Sequence, residues 1–225
     1  MATIKYLGHS SFELHAGGKS FLIDPWFSPF NRNVPSIAHA GDFKKVDFIL
    51  VTHEHFDHCD KDAIEEICGR TFSPVLAPRE TLGQLNIAQR LKHSVDVGDN
   101  FSLFGAAFEI IEAHHPQSTH PVGFIVKVEE NGAYKTVYFA GDTYDFYGMT
   151  RISCDVAVLP VGGTYTMDEL AVIKALKQMK AKYLIPSHYN TFDRIKLDVD
   201  NFARRVQKDT KTIPVPLKIG QEFKF

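Results

Sequence analysis

The segment Phe48-Ile49-Leu50-Val51-Thr52-His53-Glu54-His55-Phe56-Asp57-His58 changes from an apolar run to a cluster of three imidazoles and two carboxylates within a few residues. The apolar half reads as a buried strand, and the polar half sits where that strand leaves the core. Imidazole and carboxylate are the ligands that borderline divalent metals take, and alternate spacing in a loop lets His53 and His55 reach one ion. Asp57 and His58 are then free to serve a second ion. The motif points to a metal pair.

A solvated loop at a helix start is the competing explanation. Asp60 reads as the N-cap of a helix over Lys61–Cys68, with Gly69 as its stop. That accounts for Asp60 but needs no histidines. A helical zinc-protease motif is excluded, because it requires His-Glu-x-x-His and Asp57 occupies the fourth position after His53.

Three more apolar runs end in metal-competent side chains. Phe108-Glu109-Ile110-Ile111-Glu112-Ala113 leads into His114-His115, Thr136-Val137-Tyr138-Phe139-Ala140 into Gly141-Asp142-Thr143, and Tyr183-Leu184-Ile185-Pro186-Ser187 into His188-Tyr189. Groups that do chemistry commonly sit on loops at strand ends, fixed by a scaffold yet accessible. Four such endings in one chain are hard to assign to packing.

This order, strand–His-x-His-x-Asp-His followed by a later His, a Gly-Asp and a late His, resembles the metallo-β-lactamase fold. The resemblance runs from Leu7-Gly8-His9-Ser10 to Ser187-His188-Tyr189-Asn190. It is nearest to the small metal-dependent hydrolases related to L-ascorbate-6-phosphate lactonase. Leu22-Ile23-Asp24-Pro25, Ala140-Gly141-Asp142-Thr143, Leu159–Met167 and Ile185-Pro186-Ser187-His188-Tyr189 carry that match. The resemblance implies an α/β, four-layer αββα sandwich and a binuclear hydrolase. It also implies that His53, His55 and His115 hold one metal and that Asp57, His58 and His188 hold the other, with Asp142 bridging both. His115 is the choice for the third ligand, His114 is the reserve because it faces the other side of an alternating strand, and His120 is read as lining the pocket. Zinc is the expected metal, with manganese, iron and nickel compatible with the same donors.

Composition sets limits. A chain of 225 residues, 44% hydrophobic, is ample for one domain with a sizeable core. A net charge of −2 and no basic run give no electrostatic footprint for nucleic acid. The opening residues carry no signal-peptide block and no segment is long enough to span a membrane, so cytoplasmic location is the expectation. Cys59, Cys68 and Cys154 form an odd set without paired spacing and read as free thiols, Cys59 as a small side chain packed at the helix start.

Periodicity supplies the architecture. Strands are expected at Ile4–Leu7, Ser11–Leu14, Lys19–Ile23, Val46–Val51, Pro74–Ala77, Phe108–Ala113, Val122–Val128, Tyr134–Ala140, Asp155–Leu159 and Lys182–Ile185, with a C-terminal pair at Leu217–Ile219 and Glu222–Phe225. Gly17-Gly18 and Asn131-Gly132 read as hairpin turns. Helices are expected over Lys61–Cys68, Arg79–Leu91, Met167–Met179 and Asn201–Lys208. The third carries a Thr166–Glu169 capping box and an apolar stripe at Leu170, Ile173, Leu176 and Met179. Strands in two runs, each with helices, fit two sheets packed face to face and covered by helices.

Two divalent ions roughly 3.5–4 Å apart share a hydroxide near neutral pH. The expected reaction is therefore attack of a metal-bridging hydroxide on a small ester, lactone or phosphoester, with Asp57 orienting the nucleophile. A phosphodiesterase acting on nucleotides and a non-catalytic metal-binding or ligand-sensing protein are the alternatives. His9 is a second candidate catalytic group, either meeting substrate or supporting the site, against an equal expectation of a core imidazole on a backbone carbonyl. Thr143, Tyr165 and Tyr189 flank the matched segments and are candidates to support the ligands. His15, His39 and His93 read as surface or loop histidines. Residues 25–41, with Trp26, Phe27 and Phe30, read as a substrate lid with exposed aromatics or as a packed cover.

Overall fold

Alternation of apolar residues builds fourteen short strands, and the computed structural model describes all 225 residues. The first sheet takes β1 (Thr3–Gly8), β2 (Ser11–Ala16), β3 (Lys19–Ile23), β4 (Phe48–Leu50), β5 (Val75–Ala77) and β6 (Lys92–Ser94). The second takes β7 (Asn100–Leu103), β8 (Ala106–Glu112), β9 (Val122–Glu130), β10 (Ala133–Phe139), β11 (Ser153–Pro160), β12 (Lys180–Ser187) and β13 (Ile213–Pro214). The last strand, β14 (Glu222–Lys224), returns to the first sheet beside β1. Each sheet begins with antiparallel hairpins and continues with parallel strands: β3 to β6 in one, β10 to β13 in the other. Parallel pairing is what gathers successive strand ends at one edge. The hairpin turns form where expected, with Gly17, Gly18, Asn131 and Gly132 all at positive φ.

The inner faces of the two sheets form one apolar layer. Phe12, Phe21, Phe48 and Leu50 meet Phe108, Phe124, Val126 and Phe139, and the Phe48 and Phe108 rings pack edge to face at 5.2 Å. Outside the first sheet lies α1 (Lys61–Thr71), seating Ile64, Ile67 and Cys68 on Ile49, Val51 and Val75. The short α2 (Arg79–Gly83) follows β5. Outside the second sheet, α3 (Glu169–Gln178) and α4 (Val199–Asp209) cover Ala157, Leu159 and Leu184 with Val172, Leu176, Phe202 and Val206. Helix, sheet, sheet, helix is the expected sandwich.

Several boundaries differ from expectation, each for a local reason. The helix expected over Arg79–Leu91 stops at Gly83. Lys92 Nζ takes the carbonyls of Leu82 and Leu85 at 2.9 and 2.6 Å, and Glu65 takes the Asn86 amide at 2.7 Å. Helix α1 runs past Gly69 to Thr71, and Phe72 caps it in a left-handed conformation. Asp168, not Thr166, caps α3 by accepting from the Ala171 amide at 2.8 Å. Its buried stripe is Val172, Ile173, Ala175 and Leu176, and Leu170 is 64% exposed. Leu217–Ile219 is not a strand; the two residues Ile213–Pro214 are, paired with Tyr183 and Leu184. Strands β6 and β7 were not anticipated, since Lys92-His93-Ser94 and Asn100–Leu103 lie at sheet edges and carry little apolar patterning.

Phe108 touches both sheets, so Phe108→Ala is expected to lower unfolding free energy by about 3–5 kcal/mol in chemical denaturation.

Candidate metal centre

Strand β4 ends one side of the site and β8, β10 and β12 end the other. His53, His55, Asp57 and His58 leave the first sheet, while His115, Asp142 and His188 leave the second. Three ligand-capable groups result: His53, His55 and His115; His9, Asp57, His58 and His188; and His53, His58 and Asp142. All seven residues singled out as ligands therefore meet in one place.

Hydrogen bonds on the outer side of His53, His55 and His58 orient those rings, while His115 Nδ1 and His188 Nδ1 have no partner. Asp24, buried after β3, accepts from the Thr52 amide at 2.7 Å, the Thr52 hydroxyl at 2.8 Å and His58 Nδ1 at 2.8 Å. The Thr52 hydroxyl, having given its proton to Asp24, accepts from His53 Nδ1 at 3.0 Å. His55 donates through Nε2 to the Gln117 carbonyl at 3.2 Å. His53 Nε2 and His55 Nδ1 therefore turn lone pairs towards each other at 3.1 Å, and His115 Nε2 lies 3.2 Å from the same His55 nitrogen. Lone pairs do not attract one another, and with both outer nitrogens donating no proton bridges His53 to His55. His58 Nε2 and Asp142 Oδ1 form a buried pair 3.2 Å apart. His188 Nε2 sits 3.2 Å from Asp142 Oδ2 and 3.9 Å from Asp57 Oδ2. The donor set fits divalent cations.

Charge follows the same geometry. Burial, then the neighbouring His58, pushes His53 well below the usual imidazole range, so its ring is neutral. Burial also lowers His115. Burial alone would lower His58 too, but the Asp142 and Asp24 carboxylates outweigh it and hold it well above that range. For Asp142 and Asp57 burial works against ionisation and is overcome, by His188 and His58 in one case and by the His9 hydrogen bond and His58 in the other. Both carboxylates are ionised.

His9 is fully buried and does not face the cleft. Its Nε2 lies 3.1 Å from Asp57 Oδ2, and its Nδ1 meets the Thr191 hydroxyl at 2.5 Å. Burial depresses it to about 3, so it is a neutral donor to Asp57 rather than a substrate partner or an imidazole on a backbone carbonyl. His114 turns away, 52% exposed and stacked on Phe146, with its amide on Thr143 Oγ1 at 2.8 Å. His120 is also outside the cleft, paired with Glu80 at 3.0 Å, which corrects its expected place in the pocket. Thr143 thus supports the loop rather than a ligand ring. Cys59 is buried, and burial pushes its thiol up to about 12.

Backbone strain concentrates here. Of nine non-glycine residues at positive φ, His9, Asp24, Thr164, His188 and Asn190 belong to this region. Each such residue costs about 1–3 kcal/mol, and such residues gather where function demands an awkward turn. Gly141, at φ 61, passes so close that a Cβ would lie 2.7 Å from Thr52 Cβ. A side chain there would push Asp142 away from His58.

A cleft of about 660 Å³ opens above His55, Asp57, His115, Asp142 and His188. Asn31, Phe56, Gln117, Tyr165, Phe192 and Arg194 form much of its wall. The segment 25–41 borders it but does not expose Trp26 or Phe27, which are 1% and 8% exposed; Phe30 is the exposed ring, at 59%. Asp60 holds the Phe27 and Ser28 amides, and the Asn33 amide bonds the Thr191 carbonyl at 3.0 Å. Asp24, Thr52, Gln117 and Thr191 were not assigned roles from sequence. Asp24 stood in a matched segment, and that was the only signal available.

The pattern that defines the β-lactamase superfamily domain matches residues 3–188. A UPF0173 metal-dependent hydrolase of Staphylothermus marinus is 36% identical over 242 residues, covering the whole of both chains. Another, from Pyrococcus abyssi, is 36% identical over 240 residues with the same full coverage. Among solved structures, Igni18, a metallo hydrolase from Ignicoccus hospitalis, superposes with a TM-score of 0.84 at 29% identity, covering 100% of this chain and 99% of its own. No helix is long and apolar enough to cross a membrane.

If the inward nitrogens are metal donors, Asp24→Ala should weaken metal binding by about 10–100-fold in a competition titration. Unchanged affinity would show that Asp24 does not set the orientation of His58 or the tautomer of His53.

Proposed function

The chain belongs to the β-lactamase superfamily and to its metal-dependent hydrolases, and from that membership we propose that it hydrolyses a small ester, lactone or phosphoester using two divalent ions. The convergence of His53 Nε2, His55 Nδ1 and His115 Nε2 beside His58, Asp142 and His188 carries this reading. His53, His55 and His115 would hold one ion, Asp57, His58 and His188 the other, and Asp142 would lie between them. The nitrogen and oxygen donors suit zinc, and no thiolate reaches them. When bound, such a pair supplies Lewis acidity, bringing a water to hydrolytic strength near neutral pH and drawing charge from the substrate oxygen.

The chain's own residues do the rest. Asp57 is a carboxylate at the cleft floor with one oxygen fixed by His9, so it can accept a hydrogen bond from the attacking water and hold it in line. His9 is a positioning residue: behind Asp57, and itself fixed by Thr191, it keeps that carboxylate turned and ionised. Gln117 fixes His55 through its carbonyl, and Glu54 fixes that segment by accepting from the Ser118 hydroxyl and the Thr119 amide at 2.7 and 3.0 Å. The cleft volume suits a small molecule rather than a polymer.

Elemental analysis of wild type should find about two metal equivalents, with a loss in His115→Ala. Activity against a lactone and phosphodiester panel should scale with bound metal and vanish in Asp57→Ala and His58→Ala. No metal uptake on soaking with zinc or manganese would overturn the site. Full metal occupancy with no turnover of any member would point instead to metal-dependent sensing.

A further inference from the structure

The cleft walls differ in chemistry. Phe56, from the loop after β4, packs edge to face against Trp26 at 5.8 Å, and Phe192, from the loop after β12, lies on Trp26 at 5.6 Å, making an apolar surface. On the side of the second sheet, the loops after β11 and β12 bring Tyr165 and Arg194 together. Arg194 donates from a terminal guanidinium nitrogen to the Tyr165 hydroxyl at 3.3 Å.

Two features make that pair more than a surface contact. Arg194 has no carboxylate within ion-pair distance, although Asp193 is adjacent, because Asp193 pairs with Lys196 at 3.1 Å. The Tyr165 hydroxyl accepts from Arg194 and donates to nothing in the protein, so its proton and the remaining guanidinium N–H groups are unspent. The pose is also held at a cost. Thr164 is β-branched yet adopts φ 55 directly after Gly163 at φ 66, and its hydroxyl donates to the Arg194 carbonyl at 2.9 Å. The Met167 amide ties the same loop to the Thr143 carbonyl at 3.0 Å, next to Asp142. Tyr165 and Arg194 are thereby indexed to the floor of the cleft.

We propose that Arg194 and Tyr165 form a recognition site for an anionic group, carboxylate or phosphate, on a substrate whose flat or apolar part lies against Phe56 and Phe192. The inference rests on the hydrolytic reading and narrows it to an anionic ester, lactone or phosphoester. A planar guanidinium beside a phenol offers several donors to two oxygens of one anion, the arrangement that favours charge-assisted, paired hydrogen bonds. Two divalent ions at the floor would outweigh the charge of Asp57 and Asp142, so the field of the cleft favours an anion as well.

Calorimetric titration of the metal-loaded protein with benzoate, phenyl phosphate and neutral benzamide tests this directly. Wild type should bind one or both anions at least about 10-fold more tightly than benzamide. Arg194→Gln should lose about 10–100-fold for the preferred anion and leave benzamide and metal content unchanged. Tyr165→Phe should lose less, and Arg194→Lys should recover part of the loss. A loss confined to benzoate assigns a carboxylate, and one confined to phenyl phosphate assigns a phosphate. Anion affinity within about twofold of wild type in Arg194→Gln would overturn the proposal, since the metals alone would then account for binding. Binding needs no turnover, so Arg194-dependent affinity without hydrolysis would sink the hydrolytic reading alone. Turnover of a matched ester pair that ignores both the anionic group and Arg194 would sink the anion site alone.

Discussion

The buried carboxylate of Asp24 is the contact on which the site depends. It leaves β3 in a left-handed turn and collects three donors, two from Thr52 and one from His58. Burial raises its carboxyl above the ordinary range while those donors work against the rise. Isolated, it would be costly; surrounded by donors, it becomes a fixed acceptor. Its position orients His58 directly and selects the tautomer of His53 through one hydroxyl. The inward face of the site is thus decided by a residue that never faces the cleft.

Parallel strand order supplies the second constraint. Where β3, β4 and β5 run together, and β10, β11 and β12 run together, their ends meet along one edge, and loops from each can carry a polar group to a shared point. The core beneath is made of large rings from both sheets, Phe48 against Phe108 and Phe12 against Phe139, so the loops stand on packed ground. That footing lets His9, Asp24, Thr164 and His188 keep costly backbone conformations.

Sequence made the centre legible because metal chemistry is written locally. Four ligand-type residues sit within six positions after an apolar run, and three more end later runs. The sandwich was legible for a similar reason: alternation of Val, Ile and Phe marks strands whose burial is one-sided or complete. The parts that escaped depend on distant partners. Nothing near Leu82 and Leu85 shows that Lys92 will take their carbonyls and end a helix. Leu170 fits a helical stripe as well as Val172 does until the neighbouring sheet fixes which face is covered. Asp24 and Thr191 meet histidines 34 and 182 positions away. Arg194 lies in a polar loop, and an arginine among polar residues carries no pattern until Tyr165 is seen beside it.

The distribution of donors between the sheets has a mechanical consequence. His53, His55, Asp57 and His58 hang from the first sheet and His115, Asp142 and His188 from the second, so an ion held among them is a cross-link through the open edge of the sandwich. Unfolding that separates the sheets must also break that link. Thermal resistance then depends on the free metal concentration, rising by about 2.7 kcal/mol when the metal stands at one hundred times its dissociation constant. A metal bound there would then clasp the two halves of the fold, and a chelator would soften the protein.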